Sequence, residues 1–290
     1  MIRVAYFDQS ALSDLCLEWP LSSVYNTIHR AVYKGIITIP FSVSIIEESL
    51  PVLKSTSKLR REANYCIFEE LFSPGLWIRP HTRLLKEEFF AYATYQKPPA
   101  RWAPGMDWSK YLKPEPEREA EVLKWIEESA KEKNNNLLQM NAWRKFSDSV
   151  QDKSLYKKDF SYWWKTLSRA FVESQAQFFG ILKECEKRGL DGLLELPAVR
   201  VYIGYSVSSH YSKFKLGEKF TRGDSRDHHH SVQATAASIF VTHDVRLVKI
   251  LERIPNLPYY VTDLDGLVRW IRFRERVSYY DYLSPRFDPK

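Results

Sequence analysis

Only three of the 290 residues are cysteine, Cys16, Cys66 and Cys185, odd in number and far apart. Neither C-x-x-C nor the Cys/His spacing of a zinc site occurs, so a disulfide framework and a structural zinc are excluded and free thiols in a reducing cytoplasm are expected. Long apolar runs are missing too. None approaches the roughly 20 residues a membrane helix needs, and the N-terminus has no basic segment leading into an apolar stretch and a cleavage site. A soluble, cytoplasmic chain with no membrane partner is the expectation. No internal repeat is visible. The lack of a P-loop and of a G-x-G-x-x-G fingerprint argues against nucleotide cofactors, and the lack of a G-x-S-x-G elbow argues against a Ser-His-Asp hydrolase.

What the chain does carry is apolar material for a large core, 44% hydrophobic and 14% aromatic residues, together with a net charge of +7 and a pI near 9.1. The first predicts a folded protein. The second favours a polyanionic partner.

Apolar periodicity divides the first third into alternating strands and helices. Ile2 to Phe7 reads as a buried strand that delivers Asp8 at its carboxyl end, followed by a helix with Leu12 and Leu15 inward and Ser10 and Asp14 towards solvent. A helix over Ser22–Lys34 stops at Gly35, and a strand over Ile36–Phe41 leads into a helix from Val43 to Leu50 that carries Glu47 and Glu48. A helix over Lys58–Phe72, a strand over Leu76–Pro80 and a helix over Leu84–Tyr95 continue the alternation, which predicts an α/β fold with a parallel sheet between helices.

From Gln96 the rhythm changes. A loop over Lys97–Gly105 is followed by helical patterns over Glu115–Lys133, Leu137–Val150 and Lys158–Arg188, so residues 96–200 read as an α-helical insertion between two halves of one domain, 1–95 and 201–290. The insertion holds six of the nine tryptophans, Trp102, Trp108, Trp125, Trp143, Trp163 and Trp164, which read as core or subunit-interface residues in preference to base-stacking platforms. After it, Leu196–Tyr205 reads as an edge strand, Ser238–Thr242 and Pro258–Thr262 as further strands, Leu264–Arg276 as a closing helix and Tyr279–Lys290 as a loose tail.

The densest chemistry lies between Phe220 and Leu251. An acidic loop leads into a helix, a short strand and a second helix, with Asp224 and Asp227 at the first joint and Asp244 just past the strand. An Asp at the first joint, like Asp8, can serve as a helix N-cap, which explains one acid there. Capping does not explain why acids follow buried strands, and the carboxyl ends of strands in an open α/β sheet are where ligand sites are built. The pattern predicts that Asp8, Asp227 and Asp244 converge there. Glu48 would lean over them, since adjacent helical residues lie about 100° apart and only one of Glu47 and Glu48 can point back at the strands. Four carboxylates cannot stay ionised in one pocket without a cation. All-oxygen ligation suits Mg²⁺ or Mn²⁺, which activates water and offsets phosphate charge. The three consecutive histidines His228, His229 and His230 point in different directions on a helix and make no common ligand set.

At VAYFDQS with Asp8, PFSVSIIEES with Glu48, RDHHHSVQATAAS with Asp227 and FVTHD with Asp244, the chain resembles the PIN-domain ribonucleases, over about residues 1–95 and 217–266. Phe-Val-Thr-His-Asp after an Asp-x-x-His-rich helix is the most specific part. The resemblance implies a three-layer α/β/α PIN-like fold with a central, mostly parallel sheet, and a Mg²⁺- or Mn²⁺-dependent endoribonuclease that leaves a 5′-phosphate by water attack. It implies catalytic roles for Asp8, Glu48, Asp227 and Asp244. Asp8, Asp227 and Asp244 would be metal ligands, with Asp224 as a substitute for Asp227 and Glu47 as a substitute for Glu48. Thr242, His230 and Ser10 would support the ligands or touch substrate. Many proteins of the family are toxins of toxin–antitoxin pairs, so the resemblance extends to a toxin or defence role with a protein inhibitor as partner, although the length argues against the smallest toxins. RNA is the expected nucleic acid, and a homo-oligomer is compatible with the pattern. Two other readings stay open: a non-catalytic PIN-like module that binds RNA or protein, and a nuclease acting on DNA.

Overall fold

The computed structural model describes residues 3–49, 58–98, 100–105, 157–219, 221 and 223–283, with a few positions between 107 and 131. Its frame is a six-stranded sheet in the order β4-β3-β2-β1-β5-β6, formed by β1 (Arg3–Phe7), β2 (Ile37–Ser42), β3 (Phe72–Ile78), β4 (Trp102–Ala103), β5 (Ile239–Val241) and β6 (Tyr260–Thr262). Every neighbouring pair is parallel except β3 with β4. The protein is therefore α/β with a mostly parallel sheet, as the alternation predicts.

β1 lies at the centre because Ala5, Tyr6 and Phe7 are all buried, and a strand covered on both faces reads as a continuous apolar run. From β1 the chain steps outward through β2 and β3, then returns to the opposite side of β1 as β5. Such a reversal is where an open α/β sheet forms its ligand crevice, here at the carboxyl ends of β1 and β5. In β2, Pro40 has no N–H to give the ladder, and here the register with β3 jumps from Pro40–Ser73 to Phe41–Trp77.

Helices α1 (Gln9–Glu18), α2 (Ser23–Tyr33), α3 (Val43–Ser49), α4 (Lys58–Leu71) and α5 (His81–Ala93) fill the connections between the early strands. The later chain forms α6 (Phe160–Phe178), α7 (Leu182–Arg188), α8 (Pro197–His210), α9 (Asp224–Gln233), α10 (Val245–Glu252) and α11 (Leu264–Leu283). Among the described residues two hydrophobic cores result. One surrounds the sheet; the other gathers Phe89, Trp163, Val172, Cys185, Leu193, Ile203 and Val207 from α5 through α8.

Three expectations are corrected. Leu196–Tyr205 is not an edge strand but most of α8, which sends Ala198, Val201 and Tyr205 into the sheet core and Val199, Ile203 and Val207 into the second core. A helix buried on all sides carries no polar face, so its Val/Ile/Tyr run imitates a strand. Pro197 opens it, and the missing cap is supplied from α5: the buried Glu88 accepts the Ala198 and Val199 amides at 2.8 and 3.1 Å. Lys158–Arg188 is not one helix but two, separated at Gly180, whose φ of +73° suits glycine. Within the Lys97–Gly105 loop, Trp102 and Ala103 add an antiparallel edge strand. The helical patterns at Glu115–Lys133 and Leu137–Val150, with Trp108, Trp125 and Trp143, lie largely or wholly outside the described residues. Among the described residues, no helix is long and apolar enough to cross a membrane.

Trp163 is fully buried in the second core and meets Tyr211 edge-on at a centroid distance of 5.7 Å. Replacing it with alanine is expected to lower stability by about 3–5 kcal/mol, read from chemical denaturation. A loss under about 1 kcal/mol would show that the side chain does not anchor that core.

Candidate active site

Asp8 and Thr242 are neighbours because β1 and β5 pair in register, Phe7 opposite Val241, and the Asp8 amide extends the ladder to the Val241 carbonyl at 3.1 Å. Asp8 is buried and caps α1. Its Oδ1 accepts the Ala11 amide at 3.0 Å and the Ser10 hydroxyl at 2.7 Å, while Oδ2 accepts the Thr242 hydroxyl at 2.5 Å. Burial raises the Asp8 pKa, and the hydrogen bonds and the nearby His230 only partly offset it. The Thr242 hydroxyl also accepts the Asp244 amide at 3.1 Å. Asp244 in turn caps α10, accepting the Arg246 and Leu247 amides at 2.8 and 2.9 Å. Both acids therefore cap helices, Asp8 as the sequence allows and Asp244 in addition, and both stand at the carboxyl ends of the β1–β5 pair.

Asp227 reaches the same edge from the first turn of α9. Burial first, and then the charge of Asp244, push its pKa up to about 7, against the opposing influence of Arg246 and His230. The Arg246 guanidinium joins it to Asp224, with Nη2 at 3.1 Å from Asp227 Oδ2 and 2.7 Å from Asp224 Oδ1. Asp224 is otherwise occupied: it accepts the Thr221 amide and hydroxyl, both at 2.9 Å, and pairs with the fully buried Lys213 at 3.0 Å. Of the two acids that open α9, Asp227 is the one with the sparser set of partners.

The two glutamates of α3 part as the helix geometry requires. Glu47 pairs with Arg226. Glu48 turns towards the sheet and meets His230 Nε2 at 2.7 Å, while His230 Nδ1 lies 2.6 Å from the Tyr6 hydroxyl, which donates to Gln233 Oε1 at 3.0 Å. Burial pulls the His230 pKa down, but Glu48, Asp8 and Asp227 raise it more, and the net shift is upward. His230 bridges Tyr6 and Glu48 through its two ring nitrogens. His230 is thus enclosed and holds Glu48 in place; it does not open towards a substrate.

The other two histidines serve packing. His228 stacks between Tyr202 and Tyr205 at 4.4 and 4.5 Å, and burial lowers its pKa to about 3. His229 stacks on His81 at 3.5 Å. Ser10 accepts the His243 amide at 2.9 Å besides bonding Asp8, and Asp14, expected in solvent, pairs with His243.

Asp8 and Asp244 are thus joined through the Thr242 hydroxyl at the switch point, Asp227 lies near enough to Asp244 for the two charges to interact, Glu48 is held by His230, and Asp224 belongs to an ion-pair network. The carboxylate oxygens suit a hard divalent cation in kind. As they stand, both Asp8 oxygens and Asp227 Oδ2 carry protein donors, and among the described residues no three His, Cys, Asp or Glu side chains gather as a ready metal cage. Arg246 and Lys213 are the members the sequence pattern does not single out. Arg246 had a signal in its place two residues after a capping acid; Lys213, in a basic run, had none for burial.

The raised Asp227 pKa fixes a pH dependence. The folded state holds this proton more tightly than the unfolded chain, so the contribution of Asp227 to stability falls as pH rises from about 4 to about 7. His230, also raised, loses its contribution in the same direction but only above about pH 6.5. His81 and His228, whose pKa values burial lowers to about 4 and about 3, add stability as pH rises over the same range, so the test is a difference: in urea unfolding, stability should rise more or fall less with pH in Asp227→Asn than in the wild type, and identical slopes would refute the raised Asp227 pKa. Comparison of this chain with protein-family models, with curated proteins and with solved structures finds no match.

Proposed function

We propose that the protein is a metal-dependent phosphodiesterase of PIN type that hydrolyses RNA. The observation that carries this reading is the link from Asp8 through the Thr242 hydroxyl to Asp244 at the carboxyl ends of β1 and β5, with Asp227 close enough to feel the charge of Asp244, in a chain whose charge is otherwise strongly positive. Asp8, Asp227 and Asp244 would hold Mg²⁺ or Mn²⁺, and the bound ion would supply an activated water and neutralise phosphate charge. The chain's own residues would orient the acids. Thr242 fixes the Asp8 carboxylate and the Asp244 backbone through one hydroxyl, Ser10 holds the other Asp8 oxygen, and His230 keeps Glu48 turned inward. Arg246, now on Asp227, would turn to the substrate phosphate when an ion takes its place. A toxin or defence role, with a protein inhibitor, is an extension of the same reading and rests on the resemblance alone.

One observation favours a second reading. Arg246 already answers the charge of Asp224 and Asp227 from within, which is what a non-catalytic nucleic-acid-binding module would need.

Capping gives the experiment its discrimination. Asparagine caps a helix about as well as aspartate, so Asp8→Asn and Asp244→Asn keep α1 and α10 while removing charge from the crevice. With Mg²⁺ or Mn²⁺, the wild type is expected to cleave labelled RNA, and each variant to lose at least about a hundredfold in rate at unchanged circular dichroism. Retention of full activity by both variants would reduce the acids to caps. Binding of RNA by the wild type without cleavage, over a broad set of sequences, would favour the second reading; cleavage of single-stranded DNA in place of RNA would move the substrate to DNA.

A further inference from the structure

A groove of 990 Å³ opens between α5, the end of α6 and α8, apart from the acids, and its size suits a nucleotide unit. Its lining includes His81, Arg83, Lys86 and Phe90 of α5, Phe178 of α6 and Tyr202 of α8. Phe178 is 80% exposed and Phe90 38%. Two aromatic faces are thus left to water in one concavity. Lys86 Nζ stands over the Phe90 ring, 5.6 Å from its centroid. The acid in the lining, Glu87, is bound by Arg79 and by Arg83, the latter at 2.8 Å, so the arginines offset its charge and Lys86 adds to a positive rim. Flat apolar faces beside cations are the means by which proteins hold unpaired bases and their phosphates.

The groove is also joined to the acid site by direct stacking. His81 lies on His229 at 3.5 Å and Tyr202 on His228 at 4.4 Å, and both histidines immediately follow Asp227 in α9. We propose that this groove binds an unpaired base of single-stranded RNA against Phe178 and Phe90, with an adjoining phosphate on Lys86 and Arg83, so that the strand runs on towards Asp227. The assignment of RNA as the ligand rests on the nuclease reading above, whereas the groove itself is tested by binding alone.

The probe is a labelled, mixed-sequence single-stranded RNA, with affinity read by fluorescence anisotropy on the full chain in EDTA, where a metal-dependent cleavage cannot occur. Phe178→Ala is expected to weaken binding about tenfold, the loss of one stacked base. Lys86→Ala should weaken it and lower the slope of log affinity against log salt by about 0.7, the loss of one phosphate contact on a single strand. Both side chains are exposed, and unchanged thermal unfolding checks that the variants fold. Wild-type affinity in both variants, or no binding by the wild type, overturns the groove assignment, even if Mg²⁺-dependent cleavage is found. Groove-dependent binding without cleavage supports the groove and removes the nuclease reading. A change of oligomeric state in Phe178→Ala, with RNA affinity intact, also overturns the proposal and assigns the face to a second copy of this chain.

Discussion

Negative charge placed at the edge of a sheet and screened from water has to be answered by positive charge, and much of the local architecture follows from that need. Arg246 answers Asp224 and Asp227, Lys213 answers Asp224 again, His230 answers Glu48 and Arg226 answers Glu47. Asp227 is the incompletely compensated member, and the neighbouring Asp244 is one reason. An external cation at this edge would therefore compete with an arginine already in place, and its binding would be coupled to where that side chain goes. This coupling separates the crevice from a rigid, preformed cage.

The sequence RDHHH shows how one turn and a half of helix can face several ways at once. Arg226 reaches α3, Asp227 the crevice, His228 the two tyrosines of α8, His229 the first residue of α5, and His230 the glutamate behind the sheet. Neighbouring residues on a helix point about 100° apart, so a polar run buried on all sides must meet a different partner at each step. Burial of rings that do not need to be charged suits this arrangement, and the lowered pKa values of His228 and His229 follow from it.

The strands flanking the crevice are legible in the sequence because a short apolar run that ends in an acid fits a buried strand and little else. β1 and β5 lie where the apolar runs place them, within a residue or two. α8 is not legible: Val199, Val201, Ile203 and Val207 face two cores, and the resulting lack of polar periodicity resembles a strand. β4, only two residues long, depends on pairing with β3 and carries no pattern of its own. At the site, the link between Asp8 and Asp244 through Thr242 follows from the pairing of β1 with β5, a topology that the alternation suggests. The buried Lys213 does not, since nothing in its basic neighbourhood separates an inward lysine from a solvated one.

Glu88 gives the helical layer its fixed relation to the sheet layer. Its carboxylate holds the first amides of α8 while Arg101 holds both that carboxylate and the Thr235 carbonyl beyond α9. Sliding α8 along α5 would strand two amide donors and a desolvated carboxylate together, a cost that thermal fluctuation does not readily meet. The distance from the groove to the crevice is then a constant of the fold. A strand lying across both would be measured from base to scissile bond as by a ruler, and selection among substrates would fall on where they can be unpaired more than on which letters they carry.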